Sequence, residues 1–277
     1  MLNKYIITTT INAPTEAIKK FDKMKGWKLI VIGDKKTPKN YTLENGIYIS
    51  PRDQENYNKD LSDAIGWNCI QRRNFGLLKA YELGADIIAT IDDDNIPLSN
   101  WGKDLLVTKN ISLDYYETKL IAFDPIFVTN YKKLWHRGYP LQLLNQRSFI
   151  KKTKKIKVDI QADFWNGDPD IDAICRMEHA PECNFKKKYF PFSSNKFSPF
   201  NSQNTFLSKK VIKDYFLFPH IGRMDDIWAS YYVESLGFKV AYNFASVYQD
   251  RNVHDLTIDM KKEIIGYENN LDLLKAL

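Results

Sequence analysis

A short apolar run that ends in three consecutive acids constrains this chain more than any other feature: Ala85-Asp86-Ile87-Ile88-Ala89-Thr90-Ile91-Asp92-Asp93-Asp94-Asn95. Five of the seven residues before the acids are apolar, which is how a strand buried on both faces of a parallel sheet reads. Adjacent carboxylates raise one another's pKa unless a cation sits among them. Their oxygens are hard donors suited to Mg²⁺ or Mn²⁺, and open α/β sheets bind ligands at the carboxyl ends of their strands. The run therefore points to an α/β fold whose acids hold a divalent cation and, through it, phosphate. A solvated acidic turn is the competing explanation.

The surrounding sequence supports the first reading. Lys4 to Ile11 reads as a strand, and Asn12 can cap a helix carrying Pro14 in its first turn. Trp27–Ile32 and Gly46–Ser50 read as further strands, and Cys69–Leu83 as a helix stopped by Gly84. This βα alternation predicts a mostly parallel central sheet flanked by helices. Beyond residue 100, Lys119–Thr129 reads as a strand interrupted by Pro125, and residues 130–205 carry few periodic runs. Asp225–Leu236 reads as a helix, Phe238–Tyr242 as a strand and Met260–Leu277 as a helix. No repeat or linker divides the chain. Residues 1–277 are expected to form one domain, with 1–100 as the nucleotide-binding half and 101–277 as the acceptor-side half.

Composition narrows the class. The chain has 277 residues, 44% of them hydrophobic, enough for a sizeable core. No apolar run reaches the ~18 residues of a membrane span, and the N-terminus reads as a strand without a cleavage site. Three cysteines imply no disulfide framework and favour a reducing, cytoplasmic compartment. The net charge of +6 is clumped in Lys151–Lys157 and Lys186–Lys188. Such clumps attract a phosphorylated substrate or an anionic membrane surface, here its inner face, although a solvated loop explains them equally well. Nothing in the chain carries a nucleic-acid-binding signature.

Several residues carry candidate chemistry. On the helix before the acids, Ile70, Leu77, Leu78 and Tyr81 mark a stripe that also holds Arg73 and Asn74. An inward arginine must be paired, either with the acid cluster or with a bound diphosphate. Thr8, Thr9 and Asn12 at the end of the first strand, and Asp34 at the end of the second, can bond a base or ribose, or cap the next helix. Asp225 and Asp226 open a helix, where N-capping competes with a role as base or acceptor-orienting carboxylate. His254 could complete a mixed metal site with Asp94. Cys175, His179 and Cys183 are spaced four apart, but Pro181 interrupts them and no fourth zinc ligand is evident.

Five segments in order, QRRNFGLLKAYELGADIIATIDDDN, WHRGYPLQLL, NGDPDIDAICR, IGRMDDIW and DMKKEIIGY, resemble the reversibly glycosylated polypeptides, the plant UDP-arabinopyranose mutases, and the related STELLO-type glycosyltransferase-like proteins. The resemblance spans roughly residues 70–267. It implies the GT-A fold, a nucleotide-sugar-binding α/β sheet with an acidic metal motif after a central strand. It implies a Mn²⁺ or Mg²⁺ cofactor, a nucleotide-sugar donor, UDP-linked, and a glycan or other hydroxyl acceptor. Carried over, Asp92 with Asp93 would serve the nucleotide and Asp94 the cation. Arg137, Asn166, Asp168, Asp172, Arg176 and Asn204 fall in motifs expected on the donor or acceptor side. The mutases carry a glycosylated arginine near RGYP, which here would be Arg137 or Arg147. The run QDRNVHD departs from the mutase pattern, so the expectation is a metal-dependent glycosyltransferase of polysaccharide biosynthesis. A UDP-sugar mutase and a non-catalytic nucleotide-sugar-binding protein are the alternatives.

Overall fold

The computed structural model describes residues 2–249 and 255–277. Its N-terminal half alternates strands and helices: β1 (Lys4–Thr10), α1 (Glu16–Asp22), β2 (Lys28–Gly33), β3 (Ile47–Ile49), α2 (Pro51–Tyr57), α3 (Lys59–Ile65), α4 (Arg73–Glu82) and β4 (Ile87–Thr90). Then come β5 (Asn95–Pro97), β6 (Asn110–Glu117), β7 (Ile150–Lys157), β8 (Ile160–Gly167), α5 (Ala173–His179), β9 (Phe192–Ser194) and β10 (Thr205–Ser208). The chain ends with α6 (Lys209–Ile212), α7 (Asp225–Ser235), β11 (Val240–Gln249) and α8 (Leu256–Ala276).

The strands form one sheet in the order β3-β2-β1-β4-β10-β8-β11-β9-β6-β7, with β5 beside β11. The sheet is mixed, which corrects the expectation of a mostly parallel one. Pairings β2–β3, β1–β2, β1–β4, β8–β11 and β6–β9 are parallel. Pairings β4–β10, β8–β10, β9–β11, β5–β11 and β6–β7 are antiparallel. The βα alternation of the first ninety residues produces only the parallel side. The second half returns through irregular segments and a hairpin, which reverse direction freely.

One consequence positions the site. β10 runs antiparallel to both β4 and β8, so β1, β2, β3, β4, β8 and β11 all point the same way. The residues that follow β4, β8 and β11, and those that precede β10, therefore gather at one edge of the sheet.

The core explains why these strands read as they do. Ile6, Ile7, Ile30, Ile32, Ile88 and Ala89 are buried from both faces; each large aliphatic side chain contributes about 1.5–3 kcal/mol by leaving water. Helix α4 lies close against β1: a Cβ on Gly76 would sit 2.4 Å from Ile7 Cγ2. Its buried residues are Arg73, Phe75, Gly76, Leu77 and Ala80, whereas Ile70 and Tyr81 are exposed, so the expected stripe is shifted round the helix. Arg73 nevertheless points inward, as its position predicted, and Asn74 exchanges two hydrogen bonds with the Leu217 backbone.

Residues 119–129 form turns rather than a strand, with one bridge from Ala122 to Phe197. Pro125 removes a ladder donor. Beside it the buried Asp124 accepts from the backbone amides of Ile126 and His136 and pairs with Arg147 at 2.7 Å. The lysine run falls on β7, an exposed strand at the end of the sheet order, where Lys151 pairs with Asp114 and Lys152 with Glu117. Among the described residues, no helix is long and apolar enough to cross a membrane.

Candidate functional site

A cleft of about 660 Å³ opens at the carboxyl edge of the codirectional strands. Asp92 and Asp94 enter it just past β4, Pro169 and Asp170 past β8, and Gln249 at the end of β11. Ser202 and Gln203 come from the approach to β10, Asp225 and Asp226 from the start of α7, and Trp67 from the loop after α3. Arg223 and Lys262 also line it. This is where an open α/β sheet places its ligand.

The three acids of the central run do different things. Asp92 accepts a 2.6 Å salt bridge from Arg73, which also donates to the Ser202 carbonyl at 2.6 Å and hydroxyl at 2.7 Å. Asp92 is still pushed above the usual carboxylate range by burial, which Arg73 only partly offsets. Asp93 turns away and accepts from Thr10 Oγ1 at 2.5 Å and Asn12 Nδ2 at 3.1 Å. Asp94 faces the cleft and receives only amides among the described residues, from Gln249 Nε2 at 3.3 Å and Asn95 Nδ2 at 3.4 Å. Burial and then the neighbouring Asp92 push its pKa up to about 6. A divalent cation beside Asp94 would relieve that cost, so the donor chemistry fits one. Among the described residues, however, no three His, Cys, Asp or Glu side chains are grouped to hold a metal ion. The other expected ligand, His254, lies outside the described residues.

Arg73 is 1% exposed and its charge faces Asp92. Of the two partners expected for it, the acid cluster and a bound diphosphate, the first is present, as the salt bridge to Asp92.

The two acids at the start of α7 are also unlike. Asp226 accepts from Arg137 Nη1 at 3.0 Å and Nη2 at 3.3 Å, and from Ser202 N at 2.9 Å. Arg137 continues to Asp170, with Nε to Oδ1 at 2.7 Å and Nη2 to Oδ2 at 3.1 Å, and donates to the Arg223 carbonyl. Burial alone would raise Asp170, but Arg137, with His136, outweighs it and holds Asp170 well below the usual range. Asp225 forms no salt bridge among the described residues, and Arg137 and Arg73 act on it only at longer range. It accepts from Gln71 Nε2 at 3.1 Å, and burial, then Asp226, push it up to about 7. A carboxylate poised near neutrality in a cleft can take a proton from a hydroxyl.

The remaining expected residues are engaged elsewhere. Thr8 is fully buried and bonds the Thr9 carbonyl. Asp34 accepts from Lys35 N at 2.6 Å and Cys69 N at 3.2 Å, tying the end of β2 to the loop after α3. Asn166 receives Phe185 N at 3.0 Å. Asp168 pairs with Arg176. Asp172 caps α5 and accepts from Trp135 Nε1 at 2.5 Å. Asn204, at φ 57°, receives Trp101 Nε1 and donates to the Phe164 carbonyl and Ser246. Arg137 and Arg147 are both held in ion pairs with buried carboxylates.

Asp170, Ser202, Gln71, Gln249 and Trp67 were not among the sequence expectations. Asp170 sits between Asp168 and Asp172 in the sequence, and its pairing with Arg137 is what ties it to the site. Gln71 and Gln249 are ordinary amides whose importance is purely spatial.

No family model matches the chain. Over 184 residues it is 26% identical to "Probable glycosyltransferase STELLO2" of Arabidopsis thaliana, covering 62% of this chain and 24% of that protein. Over 185 residues it is 26% identical to "Probable glycosyltransferase STELLO1" of the same plant, with the same coverage. The chain thus spans about a quarter of the length of these curated relatives. Both stand on the STELLO side of the resemblance, and the similarity is that of a distant relative of glycosyltransferase-like proteins.

Proposed function

We propose that this protein is a glycosyltransferase that takes a nucleotide-sugar donor, UDP-linked, in the cleft at the carboxyl edge of its sheet. One observation carries the reading: the strand-end acids Asp92 and Asp94 face the same cleft as Asp225, whose pKa burial pushes up to about 7. Distant similarity to proteins named as probable glycosyltransferases supports it. The GT-A architecture belongs to the same proposal.

Asp94 would hold a Mn²⁺ or Mg²⁺ ion, with Gln249 beside it. Such an ion supplies neutralisation of the diphosphate as the anomeric C–O bond breaks. Asp92, fixed by Arg73, would keep the strand end rigid and serve the nucleotide. Asp225 would accept the proton of the acceptor hydroxyl as its oxygen bonds the anomeric carbon. Asp226 would not act as the base, because Arg137 and Ser202 already occupy its oxygens. Arg137 and Asp170 would set the position of Asp226 and hence of the first turn of α7.

Incubation with a panel of UDP-sugars and Mn²⁺, with and without hydroxyl acceptors, tests this directly. Release of UDP, slow alone and faster with an acceptor, is expected. A ring isomer of the intact UDP-sugar would make it a mutase. Binding without turnover would make it a non-catalytic nucleotide-sugar-binding protein.

A further inference from the structure

We infer that Trp67 is the stacking platform for the base of the nucleotide; this rests on the nucleotide-sugar reading above. Trp67 lines the cleft and is half-buried. Its loop is built to hold the ring still. The guanidinium carbon of Arg72 lies 3.7 Å from the ring centroid. Arg72 is itself fully buried, with Nε on Gln54 Oε1 at 2.7 Å and Nη1 on the Ser62 hydroxyl at 3.0 Å and the Gly66 carbonyl at 3.2 Å. Burying an arginine is costly unless it is well bonded, and here that cost supports one half-buried indole. On either side of Trp67 the backbone is left-handed, at Gly66 (φ 78°) and Asn68 (φ 57°). Such conformations persist where the surroundings impose them. The amide of Cys69 on buried Asp34 then pins the loop to the end of β2.

Topology selects the base over the sugar. The sheet order places β2 two strands from β4, on the side away from β8 and β11. The loop of Trp67 is anchored on that side, with the parallel N-terminal strands, whereas Asp170 follows β8 and Gln249 ends β11. A donor laid along the cleft with its diphosphate at Asp94 and its sugar toward Asp225 would reach back to Trp67 with its base. Base–aromatic stacking tolerates any base, because every base has a π-face. Trp67 would therefore supply affinity, and selection among bases would lie elsewhere. Lys35 Nζ, 4.9 Å from the same ring, is on an exposed, flexible side chain that can swing aside.

The test uses the full chain with uridine and UDP, read by calorimetry and by tryptophan fluorescence in Mn²⁺. Trp67→Ala should weaken uridine and UDP by the same factor, about 10- to 100-fold, since both share the base. Trp67→Phe should retain most of the affinity while abolishing the part of the fluorescence quench due to Trp67. The phenylalanine variant keeps the test valid should the alanine variant not fold. If wild type binds both ligands and neither variant changes uridine affinity or quenching, Trp67 is not the platform, and the nucleotide reading survives. Quenching of Trp67 by a simple methyl glycoside and not by uridine would also overturn it. If wild type binds neither uridine nor UDP, the nucleotide reading itself fails, a result distinct from the other two.

Discussion

Arg137 grips Asp226 with two hydrogen bonds, Nη1 to Oδ1 at 3.0 Å and Nη2 to Oδ2 at 3.3 Å, whereas the adjacent Asp225 forms no salt bridge among the described residues. Two acids that are neighbours in sequence thereby acquire different chemistry. One is locked in a buried ion-pair network; the other is a carboxyl group whose pKa burial pushes up to about 7.

The Asn variants of these two acids should separate accordingly. Asp225→Asn retains the bond to Gln71 but cannot act as a base. Its melting temperature should not fall below that of wild type, and turnover should drop by about 10²- to 10⁴-fold. Asp226→Asn strips one anion from a buried arginine that keeps its partner Asp170. It should cost about 2–4 kcal/mol, somewhat below the loss of a whole buried pair. A stable Asp226→Asn beside a fully active Asp225→Asn would reverse the assignment.

Arg73 and Asp92 should behave as one unit. Arg73→Leu leaves Asp92 as an uncompensated acid at the cleft wall. It should lower stability by roughly 2–4 kcal/mol in urea denaturation, discounted because the Asp92 side chain is 27% open to the cleft. Arg73→Leu with Asp92→Asn should recover part of that loss, and a coupling energy near zero in the double-mutant cycle would show that the pair is incidental.

How much of this was legible depended on local pattern. The strand before Asp92 could be read because its apolar run is continuous, and the inward turn of Arg73 followed from helical spacing. The first of the two helices after β3, α2, was missed although Ser50 and Asp53 form a capping box with Pro51 in the first turn. β8 left no readable signature. It is buried on nearly every position yet carries Gln161, Asp163 and Asn166, so neither alternation nor an apolar run survives. β7 has five lysines in eight residues and is exposed at all but one position, the opposite extreme. The partners of Arg137 were out of reach for a different reason. Asp170 lies 33 and Asp226 89 residues away, and nothing in a local pattern says which arginine meets which acid.

Asp94 should couple the protein's stability to divalent cations. In a thermal-shift experiment, Mn²⁺ with UDP should raise the melting temperature of wild type, as any ligand of the folded state does, and chelation should reverse it. Asp94→Ala should lose most of the Mn²⁺-dependent part and keep any shift caused by UDP in chelator. An unchanged Mn²⁺ response would remove Asp94 from the cation site.

Asp163 offers a test of the electrostatics away from the cleft. It is buried, receives Gln161 Nε2 at 2.7 Å, and has no salt bridge to a cation among the described residues. Burial pushes its pKa up to about 7, against 3.8 for an ordinary aspartate, despite hydrogen bonds from Ser246, Gln161 and Asn243. A raised carboxyl pKa means that the folded state holds the proton more tightly than the unfolded chain. Between about pH 4 and 7 the folded state then binds more protons, and stability falls as pH rises through that window. Asp163→Asn is close in shape and cannot ionise, so its melting temperature relative to wild type should climb from pH 4 to 7 and level off above. The full gain should not exceed about 4 kcal/mol, the equivalent of three pH units. Asp94, Asp172 and Asp225 are displaced in the same direction, but they are common to both proteins and cancel in the difference. A difference that stayed flat across the window would mean that Asp163 is not protonated in the folded state at pH 5, and that its hydrogen bonds outweigh its burial.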